Sequence, residues 1–155
     1  MKENILACTI GNCVHVAGTM NFLHLAEKEG YSTEFLGIGI PIDELVKNIK
    51  AKSPQIVGVS YRLTPEPLVG ILKELKSKIE KENLSNITWI FGGTEPTGIV
   101  AEKSKIFDKI FYGYEDIDEV MLYLKGKEYF DDEEYPRDLV SRINSKYPYP
   151  ILRHH

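Results

Sequence analysis

Three short stretches of the chain collect residue types able to hold a metal or a polar ligand. Cys13-Val14-His15-Val16-Ala17-Gly18 follows one apolar run, Ser60-Tyr61-Arg62-Leu63-Thr64-Pro65 follows a second, and Phe91-Gly92-Gly93-Thr94 ends a third. A neutral imidazole such as that of His15 is a good ligand for a transition metal. Gly18, Gly92 and Gly93 carry no side chain, so backbone there can come close to a bulky ligand. Ser60 and Thr64 offer hydroxyls that donate or accept. Together these residues describe a deep slot with small polar walls and one imidazole at its mouth. Each signal alone is weak, because H-x-x-G is short and a lone histidine in a loop is usually a surface residue.

The elements that must position these residues are legible as apolar runs alternating with longer amphipathic segments, the pattern of βαβ units around a parallel sheet. Strands are expected at Asn4 to Ile10, Ser32 to Leu36, Gln55 to Ser60, Ile87 to Phe91 and Lys109 to Tyr112. Helices are expected at about Ala17 to Lys28, Pro41 to Lys52, Pro65 to Lys81, Pro96 to Glu102 and Asp116 to Leu124, with a loop through Gly37, Gly39 and Pro41. The first strand is apolar almost throughout and so is buried on both faces. Right-handed crossovers with one reversal predict an α/β, doubly wound, flavodoxin-like (Rossmann-like) sheet of five parallel strands in the order 2-1-3-4-5. In such a sheet a ligand lies beyond the C-terminal strand ends at the switch between strands 1 and 3. The three stretches all begin there. One domain is expected over residues 1–126, and from 127 to 155 the composition changes to an acidic, proline-containing tail read as a linker or docking arm. Within it, Asp131 to Glu134 is read as a solvated run, with docking to a basic partner as the alternative.

The set resembles the cobalamin (vitamin B12)-binding domain of B12-dependent methionine synthases, corrinoid methyltransferase proteins and B12-dependent mutases. That family's pattern is D-x-H-x-x-G, then S-x-L or a close variant, then G-G, on this fold and at these loops. The resemblance runs from about Asn4 to Gly126 and leaves the tail outside. It implies that His15 is the lower ligand to cobalt, replacing the cofactor's own benzimidazole (a base-off, His-on mode). It implies that Ser60 bonds the displaced base, that Thr64 lines the corrin face or the tail entrance, and that Gly18, Gly92 and Gly93 make room for the nucleotide tail. Cys13, Val16, Ala17, Arg62 and Leu63 belong to the same loops and are expected to line the cofactor, with Tyr112 and Gly113 as further candidates at the fifth strand. Tyr61 either shields the corrin or covers apolar surface. Two positions depart from the pattern. Cys13 stands where the family has its aspartate, and a thiol supplies no charge unless ionised. Arg62 stands where the pattern has leucine, bringing a guanidinium near the slot that meets a phosphate, a propionamide or solvent.

The expected function is a cofactor-carrying module, holding methylcobalamin or adenosylcobalamin and its cobalt for a catalytic partner domain or subunit of a methyltransferase or mutase. The competing reading is a cobalamin-responsive sensor or carrier without catalysis of its own, and a homodimer is compatible with either. The 155 residues carry a net charge of −4 with acids and bases interspersed, and no basic stripe speaks for nucleic acid. No apolar run approaches the roughly 20 residues that span a bilayer. The two cysteines, Cys8 and Cys13, do not form a CxxC pair, which fits a reducing, cytoplasmic setting. Flavodoxins and phosphorelay receivers share the expected fold. The first strand here ends in Ile10-Gly11-Asn12, with neither a Ser/Thr-rich phosphate loop nor the paired aspartates of a receiver.

Overall fold

The structure, a computed structural model, describes residues 3–126; the expected tail lies outside the described residues. Five strands and five helices alternate: β1 Asn4–Ile10, α1 Ala17–Lys28, β2 Ser32–Ile40, α2 Ile42–Lys52, β3 Ile56–Tyr61, α3 Pro65–Lys81, β4 Thr88–Gly93, α4 Glu95–Ser104, β5 Lys109–Phe111 and α5 Ile117–Lys125. All strand pairings are parallel and the order is β2-β1-β3-β4-β5, as the alternation of elements predicts. The described residues fall into two compact units, one ending at Tyr114 and holding the whole sheet, the other beginning at Glu115. The described part of the second is α5. Its Asp116 side chain accepts from the Glu119 amide at 3.0 Å while Glu119 accepts from the Asp116 amide at 3.4 Å, a reciprocal N-terminal cap.

Side chains alternate across a strand, so each strand feeds two faces. One set, with Cys8, Ile10, Val57, Val59, Tyr61, Trp89 and Phe91, packs with Leu45, Val46 and Ile49 of α2 and Leu68, Leu72 and Leu75 of α3 into the main core. The helical residues recur at the three- and four-residue steps that give a helix one apolar stripe. The other set, with Ala7, Thr9, Gly58, Ser60 and Gly92, faces the side where Phe22 of α1 meets Phe111 of β5, ring centroids 5.9 Å apart. These side chains are small, and the difference between the two faces shapes the site.

One expected boundary is corrected. Strand β2 does not stop at Leu36 but continues through the expected loop to Ile40. Its pairing with β1 shifts register between Ala7 and Cys8 and again between Cys8 and Ile10. Gly37 and Gly39 take φ of 138° and 60°, the positive range that glycine adopts without a Cβ penalty, which lets the edge strand bulge and still pair. Glycine was read as a break in the strand where it serves as a bulge.

Two predictions concern this scaffold. A Cβ on Gly93 would lie 2.6 Å from the Tyr61 carbonyl oxygen and 2.8 Å from the Phe91 ring, so Gly93→Ala lowers stability by about 1–3 kcal/mol, read as a drop in the urea midpoint. Cys8 is fully buried, and burial, with the Glu44 carboxylate adding to it, pushes its thiol from 9.0 up to about 12. Between those values the folded state keeps a proton that the unfolded chain has lost, so this contribution is intact below pH 9 and falls as pH rises. Urea unfolding at about pH 8 and about pH 10.5 should show the native chain losing about 2 kcal/mol more than Cys8→Ala; equal losses would show that Cys8 ionises freely in the fold.

Candidate functional site

Register places Thr9 of β1, Ser60 of β3, Gly92 of β4 and Phe111 of β5 side by side in one row across the C-terminal end of the sheet. The row before it is Ala7, Gly58, Ile90 and Lys109. A central strand should be covered on both sides, yet Gly58 and Gly92 are both partly exposed. Among the described residues, a Cβ on Gly92 would meet no atom within 4 Å, and one on Gly58 only the Ala7 methyl at 3.8 Å. Ser60 between them is 9% exposed, and its hydroxyl has no hydrogen-bond partner among the described residues. The result is a trough in the sheet floor with one orphaned hydroxyl at its base. A buried polar group left unpaired costs about 1–3 kcal/mol, so such groups point to an absent partner. Thr9, also buried, is satisfied on both sides: it donates to the Cys13 carbonyl and accepts from the Gly39 amide at 2.8 Å.

The loop after β1 forms one rim. Gly11 has φ of 61°, and a Cβ there would press on Ile71 at 2.9 Å and Tyr61 at 3.0 Å, so the chain turns sharply against α3. The amide of Cys13 then closes back on the Ile10 carbonyl at 3.3 Å. Cys13 is fully buried, and its sulfur accepts from the backbone N–H of Arg62 at 3.4 Å, which ties the β1 loop to the β3 loop. The same sulfur lies 3.6 Å from Nδ1 of His15. His15 itself is exposed, and its Nε2 has no partner among the described residues. Val16 is the N-cap position of α1 and makes no side-chain cap, while Ala17 and Gly18 open the helix, with nothing within 4 Å of a Cβ placed on Gly18.

The second rim is Arg62, Leu63 and Thr64, all exposed. Thr64 caps α3 by its backbone geometry alone, so its hydroxyl is not used by the helix. Val14 and Leu63 are 60% and 37% exposed, an apolar pair on the loops beside His15. The Arg62 guanidinium lies near Gly113, its Nη1 3.6 Å from where a Cβ on that glycine would sit.

Most of the residues expected from sequence therefore gather at one sheet end: Cys13, His15, Val16, Ala17, Gly18, Ser60, Arg62, Leu63, Thr64, Gly92 and Gly113. Two are committed elsewhere. The room at Gly93 is taken by Tyr61 and Phe91, so its own packing requires a glycine there. The ring of Tyr112 packs on Gly98 of α4 and stacks on Tyr114 at 5.7 Å, and its hydroxyl donates to Glu102 at 2.8 Å. Tyr61 resolves in favour of covering apolar surface: it is 2% exposed in the core, and its hydroxyl donates to the Thr64 carbonyl at 2.8 Å. Burial holds that phenol above its ordinary value of 10.0. Sequence reading missed Gly58 and Thr9. The signal for Gly58 was present, because a glycine inside a strand often marks close backbone approach of a ligand.

Residues 3–121 match the family model of the B12 binding domain. The chain belongs to the B12-binding domain family. Among solved structures it is similar to a novel cobalamin-binding protein from Desulfitobacterium hafniense DCB-2, with 25% identity, TM-score 0.62, and coverage of 70% of this chain and 52% of that one. It is also similar in fold to the methanol:cobalamin methyltransferase complex MtaBC from Methanosarcina barkeri (14% identity, TM-score 0.64, 80% of this chain and 47% of that one). The Methanosarcina barkeri monomethylamine corrinoid protein gives 17% identity and TM-score 0.64 over 79% of this chain and 56% of that one. The chain thus spans about half the length of these structures. No curated protein matches it. No helix among the described residues is long and apolar enough to cross a membrane.

The residues of this B12-binding domain fit a corrinoid on their own terms. The trough over Gly58 and Gly92 is space that side chains would otherwise fill, and Ser60 offers it a hydroxyl with no partner among the described residues. Apolar Val14 and Leu63 are exposed on the two loops that meet at the Cys13 sulfur, which suits a flat macrocycle. Ser60→Ala should raise the stability of the ligand-free protein by about 1 kcal/mol, because it deletes an unsatisfied buried hydroxyl. Thr9→Val, which orphans the Gly39 amide, should lower it by about 1–3 kcal/mol. Equal loss in both variants, measured by urea unfolding, would mean that Ser60 is already satisfied.

Proposed function

We propose that the protein is a cobalamin-carrying module that presents its cofactor to a catalytic partner domain or subunit. The observation that carries this is the trough in the sheet floor, with Ser60 unpartnered among the described residues between Gly58 and Gly92. In this reading the nucleotide tail of the cofactor enters the trough and Ser60 bonds its buried base. Thr64, whose hydroxyl the helix does not use, stands at the entrance, and Gly18 leaves space beside it. Val14 and Leu63 lie against the corrin face, and Arg62 meets a polar group at its edge. His15 would hold the cofactor's cobalt through Nε2. A single imidazole is enough for a metal that arrives with its own equatorial nitrogens, and the ring's donor strength then tunes it. When bound, the cofactor supplies a cobalt centre for methyl transfer or radical rearrangement; the protein binds, orients and shields it.

A partner is supported by the likeness in fold to a methanol:cobalamin methyltransferase complex and to a monomethylamine corrinoid protein. Aquacobalamin titrated into the full chain should bind one to one at micromolar concentration or below, followed by absorbance after gel filtration. Gly92→Leu, whose Cβ meets no atom of the described residues within 4 Å and whose side chain would enter the trough, should weaken binding at least about tenfold with circular dichroism unchanged. No uptake by the folded native chain at micromolar cofactor would refute the reading.

A further inference from the structure

The sulfur of Cys13 has two polar neighbours among the described residues. The Arg62 amide donates to it at 3.4 Å, and Nδ1 of His15 lies 3.6 Å away. A thiol has one proton to donate and is a weak acceptor, whereas the bare nitrogen of a neutral imidazole is a strong one. If Nδ1 carried the ring proton, the sulfur would have to accept two N–H groups, and its own buried S–H would find no acceptor among the described residues. If Nδ1 is bare, the S–H donates to it, the Arg62 amide still donates to the sulfur, and every group is satisfied.

We infer that Cys13 is a positioning residue that holds His15 in the tautomer with its proton on Nε2. The consequence rests on the reading of His15 as the cobalt ligand. The ring nitrogen that meets a metal must be bare, and the hydrogen bond at the other nitrogen decides which one that is. A carboxylate at position 13 accepts only, so it would place the proton on Nδ1 and leave Nε2 bare. The thiol does the reverse. For His15 to ligate, the proton must move from Nε2 to Nδ1 and the S–H must turn away into a site without an acceptor among the described residues. Cys13 therefore biases the histidine toward the unligated state and makes it an exchangeable lower ligand.

The experiment uses the full chain with 15N-labelled histidine in alkaline buffer, where the neutral ring's two nitrogens report its tautomer by chemical shift; His15→Ala assigns the signals. The native chain is expected to show His15 with bare Nδ1 and protonated Nε2, and Cys13→Asp to show the opposite. A native ring already protonated on Nδ1 overturns the inference, and so does a folded Cys13→Asp protein with the native tautomer. If the aspartate variant does not fold, the native spectrum decides alone. The same proteins loaded with cob(II)alamin are then compared by electron paramagnetic resonance, where 15N labelling of histidine changes the ligand splitting only if histidine is bound. Cys13→Asp should raise the histidine-ligated fraction about fivefold. A reversed tautomer with no histidine splitting in either protein upholds the role of Cys13 and refutes His15 as the ligand.

Discussion

A central strand of a parallel sheet meets solvent on neither side, so every side chain it omits must be replaced by something. Strand β3 omits one at Gly58, β4 omits one at Gly92, and the hydroxyl between them has nothing to bond among the described residues. The described residues leave this gap open, although the opposite face of the same strands is densely packed by Val57, Val59, Tyr61 and Phe91. That contrast decides the rest. The face toward α2 and α3 fixes the sheet, and the face toward α1 is free to lack volume. Stability is concentrated where function does not need space.

The loops depend on this division. The turn at Gly11 is held against Tyr61 and Ile71, both of which belong to the well-packed side. From there the chain reaches over the strand end to set Cys13 and His15 at the rim of the open side. Dense packing on one face thus sets the position of a histidine at the rim of the other, and Tyr61, buried in the core, acts through the Gly11 turn beside it.

The alternation of apolar runs and amphipathic helices made the strand order legible, because handedness and burial leave few ways to cover a five-stranded parallel sheet. The end of β2 was not legible, since Gly37 and Gly39 read equally as loop and bulge until the pairing with β1 is known. The site was legible as three stretches, because register brings the ends of β1, β3 and β4 together whatever their separation in sequence. The difference between Gly92 and Gly93 was not. Neighbours in sequence face opposite sides of a strand, so one opens the trough and the other fits between Tyr61 and Phe91. The environment of Cys13 was equally hidden, because its partner Arg62 lies 49 positions away.

The amide of Arg62 belongs to the chain just beyond β3, and through the Cys13 sulfur it anchors a loop that would otherwise end in exposed residues. Thr9 fastens the same loop from below through the Cys13 carbonyl. A loop tied at both levels has given up its conformational entropy during folding and does not surrender it again when a ligand arrives. The rim is accordingly a fixed template, and an incoming molecule is selected by whether it matches a shape already present.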